Sequence, residues 1–125
     1  MRTRAPVVYL AVSLLLVSSA SQGYSYEEMS LEDKAKASEL VLIGQVSTIF
    51  EKGCKSRYTC ASLKVVNVVK GVPKGGIFVL FDGPIAEWNP ECCEVGVSYL
   101  FFLKHLDGNF FSSTDGPYGV YKVSP

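Results

Sequence analysis

Four cysteines, a single histidine, a single tryptophan and a run of glutamates are the residues of this chain whose types could carry chemistry. Cys54, Cys60, Cys92 and Cys93 could form disulfides or hold a metal. Zinc would want paired Cys-x-x-Cys or added histidines, and His105 is the only histidine. An even number of cysteines behind an export signal reads instead as disulfides, so neither a metal nor a cofactor is expected. Four cysteines allow three pairings. Joining Cys92 to Cys93 would close a strained eight-membered ring, and neighbouring side chains on extended backbone point opposite ways. The favoured arrangement has Cys54 and Cys60 each reaching one of Cys92 and Cys93; a redox-active vicinal pair is the alternative. Closing a loop of nearly 40 residues in this way is worth about 4 kcal/mol in the chain-entropy picture.

Catalysis finds little support. Nucleophilic hydrolysis needs a base beside a nucleophile and a prepared oxyanion site. His105 falls at an expected hairpin tip, with no Gly-x-Ser-x-Gly elbow and no second histidine. Glu87, Glu91 and Glu94 lie on a polar loop, where carboxylates face water. No catalytic residue is assigned, and the chain is read as a non-enzyme. Binding is the better use of these residues. Trp88, close to Pro90 and the adjacent cysteines, is a stiff aromatic on a loop, the kind that interfaces favour because few rotamers freeze on contact. Its rival role is to cap the open end of the core. Glu87, Trp88 and Asn89, with Tyr24 and Tyr26, make the candidate contact surface.

The N-terminus places these residues in a compartment. Arg2 and Arg4 precede an apolar run from Val7 to Val17 and then Ser18-Ser19-Ala20-Ser21, the three-part pattern of a secretory signal. The run of about 11 residues is too short for a hydrocarbon core, which needs about 20, so no stable membrane insertion is expected. Cleavage after Ala20, with Gly23 as the alternative, makes residues 1–20 the signal and 21–125 one domain, secreted or periplasmic. Losing Arg2 and Arg4 leaves basic residues two short of the 12 acidic ones. Such a balance, without basic clusters, argues against nucleic acid.

The elements that must position the candidates are strands. Ser30, followed by Glu32 and Asp33, caps a short helix over roughly residues 31–38, with Leu31 and Ala35 packing on the body. From Leu40 the period is two, and the first half of that strand, apolar on both faces, suits a position buried on both sides. Gly44 within it suggests a bulge or bend. Further strands are expected near residues 58–69, 77–81, 97–104, 109–113 and 118–123, with a polar loop over 51–57. Lys70 to Gly76 and Asp107-Gly108 supply the turns. The pattern predicts an all-β domain with one short N-terminal helix, a small five- to six-stranded Greek-key barrel of OB type.

Three blocks resemble one family. Ser38 to Val46 looks like the A-D-x-V-x-x-G-x-V opening of domains related to tissue inhibitors of metalloproteinases. Val65, Val66, Asn67, Val69, Lys70 and Gly71 are similar to the end of their second strand. Cys93 to Phe102 resembles the C-x-x-G-x-x-Y-L-x-F stretch that begins their fourth. The resemblance, over residues 38–112, implies a netrin-like OB barrel and a protein partner, a protease among the candidates. The family's inhibitors chelate a target's zinc through an N-terminal Cys-x-Cys; here that region reads Tyr24-Ser25-Tyr26, so the likeness implies the scaffold without the chelator. A cell-wall saccharide, which OB strand faces also hold, is the alternative ligand; metalloprotease inhibition comes third.

Overall fold

The computed structural model describes residues 27–55 and 57–123. The signal expected over residues 1–20, Tyr24 and Tyr26 lie outside the described residues. The chain runs through a helix α1 (Leu31–Ala37) and six strands: β1 (Leu40–Lys55), β2 (Tyr58–Lys70), β3 (Ile77–Asp82), β4 (Ser98–Asp107), β5 (Phe110–Ser113) and β6 (Val120–Lys122). Short 3-10 turns at Ala86–Trp88 and Gly116–Tyr118 interrupt the connections. The all-β character with one short helix is as expected.

Five strands close into a ring. β1 pairs with β2, β2 with β3, β3 with β5, β5 with β4, and β4 back with β1; β6 adds to β4. Every pairing is antiparallel except β3–β5. β1 serves two neighbours, one on each edge. Its first half lies between β2 and β4, and its register with β2 slips between Ile43 and Gly44. The extra residue at that slip is Val66 of β2, so the irregularity expected at Gly44 falls on the strand opposite it. A Cβ at Gly44 would sit 3.1–3.2 Å from Leu42 and Leu63 side chains, so the glycine lets these leucines pack closely.

The core fills the ring from alternate positions. Leu40, Leu42 and Val46 of β1 meet Ala61, Ile77, Val79, Phe101, Leu103 and Val120. Burying each large apolar side chain contributes about 1.5–3 kcal/mol. Val41 and Phe102 are buried as well, and Phe102 meets Tyr121 edge to face at 6.0 Å. The first half of β1 is therefore covered on both sides, as its two-faced apolar pattern predicts.

Two expectations fail. The polar loop expected over 51–57 is shorter: β1 runs on to Lys55, which pairs with Tyr58, so the β1–β2 hairpin projects further than its polar residues suggest. Glu51 and Lys52 there are exposed, whereas Cys54 and Lys55 are half-buried. The helix also buries a different face. Ser30 caps it as expected, accepting from the Asp33 N–H at 3.1 Å. Leu31, however, is 60% exposed, and Lys34 is the residue with no exposed surface. Lys34 and Ser38 are four residues apart and so share a face. Ser38 Oγ donates to the Lys34 carbonyl at 2.7 Å and shares a hydrogen bond with Thr114 Oγ1 at 2.8 Å. Polar bonds to the turn at Thr114–Tyr118 orient the helix, and Leu31 is left outside.

Candidate functional site: the Trp88 cleft

Asp82-Gly83-Pro84 stops β3, as its turn-forming residues require, and the loop that follows is pinned by one side chain. Asn89 Oδ1 accepts from the Gly83 N–H at 3.0 Å, and Asn89 Nδ2 donates to Asp82 Oδ1 at 3.1 Å. Within that closure the Trp88 and Asn89 N–H groups donate to the Ile85 and Ala86 carbonyls, both at 3.1 Å. Pro90 is buried behind them. Asn89 is thus a positioning residue, and it holds Trp88 with 57% of its surface exposed. At that exposure the Trp88 ring is not part of the core.

Trp88 forms one wall of a cleft of about 560 Å³, with Tyr58, Leu80, Ile85, Leu106 and Ser112 among its other walls. The projecting β1–β2 hairpin supplies Tyr58, whose ring lies so near Gly83 that a Cβ there would fall 2.3 Å from it. Glycine at position 83 is what lets the aromatic wall close in. At the rim Lys55 Nζ donates to both carboxylate oxygens of Asp107, at 2.9 and 2.7 Å, and lies 5.4 Å from the centre of the Phe110 ring. With that cation already paired, the open surface of the cleft is chiefly aromatic and aliphatic.

The cysteine pairing departs from expectation. Cys54 bonds to Cys60 and Cys92 to Cys93. The hairpin explains the first: Cys60 stands opposite Phe50 on β1, and the turn brings the Cys54 Cα to 6.1 Å from the Cys60 Cα. Cys92 and Cys93, joined by a cis peptide with Cα atoms 3.1 Å apart, sit beside Tyr99, Val120 and Tyr121 instead. No covalent tether joins the two loops. The Cys54–Cys60 bridge fastens the hairpin that carries Lys55 and Tyr58, so its role lies in the cleft wall.

The remaining candidates are dispersed. Glu87 is exposed next to Trp88 but does not line the cleft; Glu91 and Glu94 are exposed near the second disulfide. His105 gives its Nε2 to the Gly108 carbonyl at 2.8 Å and stands edge-on to Phe111. Among the described residues no group of His, Cys, Asp and Glu comes together to hold a metal, and no helix is long and apolar enough to cross a membrane. Tyr58, Ile85 and Leu106 were not singled out from sequence. Each sits at a strand end or in a turn, where only the packed neighbours decide whether an apolar side chain is covered.

Away from the cleft, the buried ammonium of Lys34 is the centre of a polar group that reaches the surface at Glu28. Its ammonium donates to the Tyr118 carbonyl at 2.7 Å, to Glu28 Oε2 at 3.1 Å and to the Tyr121 hydroxyl, which donates on to Glu28 at 3.1 Å. Asp115 Oδ2 lies 3.9 Å away and accepts from the Met29 N–H at 2.7 Å. Burial acts to lower the Lys34 pKa, but the bonds to Tyr121 and Glu28 outweigh it and the pKa is raised. The bonds from Lys34 and Tyr121 lower that of Glu28.

Fold and site together define a small disulfide-bonded β-barrel domain with an apolar, aromatic-walled cleft. No protein-family model, no curated protein and no solved structure matches the chain.

Proposed function

We propose that this chain is an exported, non-enzymatic barrel domain of OB and netrin-like type, which captures a protein partner by taking one of its bulky apolar side chains into the Trp88 cleft. The strand order β1–β2–β3–β5–β4–β1, with the β3–β5 contact parallel, supports the OB reading, as do the three sequence blocks of the netrin-like pattern. The disulfides and the signal sequence support export. One observation carries the function: a large aromatic is held out in solvent on a loop that Asn89 and Pro90 keep rigid, facing aliphatic walls. Exposing that much ring without a partner gains the fold nothing, whereas a preorganised anchor binds at low entropic cost.

Phage display against the mature protein tests this. The expected result is a set of peptides sharing one large apolar residue, whose binding Trp88→Ala weakens at least about tenfold, the scale of an interface anchor. Peptides that bind Trp88→Ala equally well would remove the reading. A saccharide is the second reading, favoured by Trp88 and Tyr58 lining one cleft, where sugar rings stack. Titration with cell-wall oligosaccharides while following Trp88 emission separates the two: saturable quenching by sugar, with no peptide enriched, would install it instead. A zinc-protease panel tests inhibition.

A further inference from the structure

The ring of strands is closed, but β2 outruns it. β2 pairs with β3 only from Thr59 to Leu63, whereas it pairs with β1 as far as Lys70. Over residues 64–70 one edge of β2 therefore has no neighbour among the described residues, and every side chain in that stretch is exposed. Along such an edge every second residue turns its N–H and C=O outward, a template for an added strand.

The stretch is unusual in two ways. It reads Lys-Val-Val-Asn-Val-Val-Lys, and Val66 and Val69 are 61% and 65% exposed. Register slips at Val41/Leu42 and Ile43/Gly44 place bulges there, which push both valines into solvent. It also lies within a run from Lys52 to Phe81 holding six basic residues and no acidic one. Among the described residues, Lys64, Lys70 and Lys74 have no carboxylate partner; Lys70 Nζ donates to the Ala35 carbonyl at 2.8 Å. Glu39, beside the end of the strand at Gly71, gives its carboxylate to the His105 N–H at 2.9 Å.

These features select the occupant. A second copy pairing antiparallel about Asn67 would set Lys64 against the other copy's Lys70, and like charges directly opposite one another repel. Edge lysines likewise oppose a second copy of the same basic edge while attracting an acidic strand. Valines to pack, free backbone groups and unpaired ammonium groups instead suit an extended segment of alternating apolar and acidic residues. We infer that the free edge of β2 over residues 64–70 binds an acidic, apolar extended polypeptide by strand addition, a contact separate from the Trp88 cleft.

The probe is a fluorescein-labelled ten-residue peptide of alternating Glu and Val, titrated into the mature oxidised protein at low salt with anisotropy as the readout. Saturable binding is expected, weakened roughly tenfold by Lys64→Glu/Lys74→Glu, since two exposed charge contacts each change sign. A copy of the peptide N-methylated at alternate residues, with charge unchanged, is expected not to bind, and amides of residues 64–70 are expected to gain hydrogen-exchange protection. Trp88→Ala is expected to bind as wild type, which separates failure here from failure of the cleft reading. Three results would each overturn the inference: no binding at millimolar peptide, equal binding of the N-methylated copy, or equal binding of heparin and polyglutamate. The last would show a plain polyanion patch.

Discussion

Replacing Lys34 by methionine tests how the helix is held to the barrel. Methionine nearly matches the stem in volume, so the change removes the ammonium with little cavity. It takes away hydrogen bonds to the Tyr118 carbonyl, Glu28 and the Tyr121 hydroxyl. It also leaves Asp115, whose side chain is 3% exposed, without the cation 3.9 Å away. Glu28 is exposed and can return to water, so the cost concentrates on Asp115 and the Tyr118 carbonyl. Removing one partner from a buried charge pair costs about 3–5 kcal/mol. The 3.9 Å separation and the Met29 N–H that Asp115 keeps place this case at the low end, about 3 kcal/mol. With a urea slope of about 1.5 kcal/mol per molar for a domain of this size, the midpoint falls by roughly 2 M. A double-mutant cycle checks the cause. Asp115→Asn keeps an acceptor for Met29 and tolerates the left-handed backbone at that position (φ 67°) while removing the charge. Added to Lys34→Met, it is expected to recover about 1–2 kcal/mol. A loss below about 1 kcal/mol for Lys34→Met, or no recovery in the double variant, would refute the claim that a compensated buried charge docks the helix.

The same group sets a pH window. The raised Lys34 pKa contributes stability that is complete below the ordinary lysine value, about 10.4, and is lost as pH rises through the higher folded value. The lowered Glu28 pKa contributes above the ordinary carboxylate value, about 4.3, and that share is lost as pH falls through the lower folded value. Amide exchange of the helix, corrected for intrinsic rates, should therefore show a plateau of protection between those limits. Cys54→Ala should cost about 2 kcal/mol in thermal or urea unfolding, because the loop it opens is short; a loss near 4 kcal/mol would mean that a long loop had been closed. Gly83→Ala should push the Tyr58 ring out of place and weaken cleft binding severalfold with less effect on stability, as peptide titration and urea melts would show. Phe101→Ala, in the middle of the core, should cost about 3–5 kcal/mol.

The strands were readable because their signals are local. Two-residue alternation, the Asp107-Gly108 turn and the Ser30 cap each act within a few residues, and β2, β3 and β4 begin within a residue or so of the expected positions. The helix face was not readable in the same way. A short helix carrying Leu31 and Lys34 looks, by composition, as though leucine should face inward. The turn at Thr114–Tyr118 reverses that choice by offering a carbonyl and a carboxylate to the lysine. Those partners lie more than 80 residues away in sequence. Trp88 was visible as a candidate, but its exposure depends on Asn89 bonding back to Gly83 and Asp82.

The chain by itself determined the strand character, the helix cap and the oxidisable cysteines, since each follows from residue type and nearest neighbours. Ring closure, cysteine pairing, the lysine docking and the apolar cleft were decided only when distant segments met. Pairing shows why. Which sulfurs meet depends on the hairpin, whose ladder and tip set the Cys54 and Cys60 Cα atoms 6.1 Å apart.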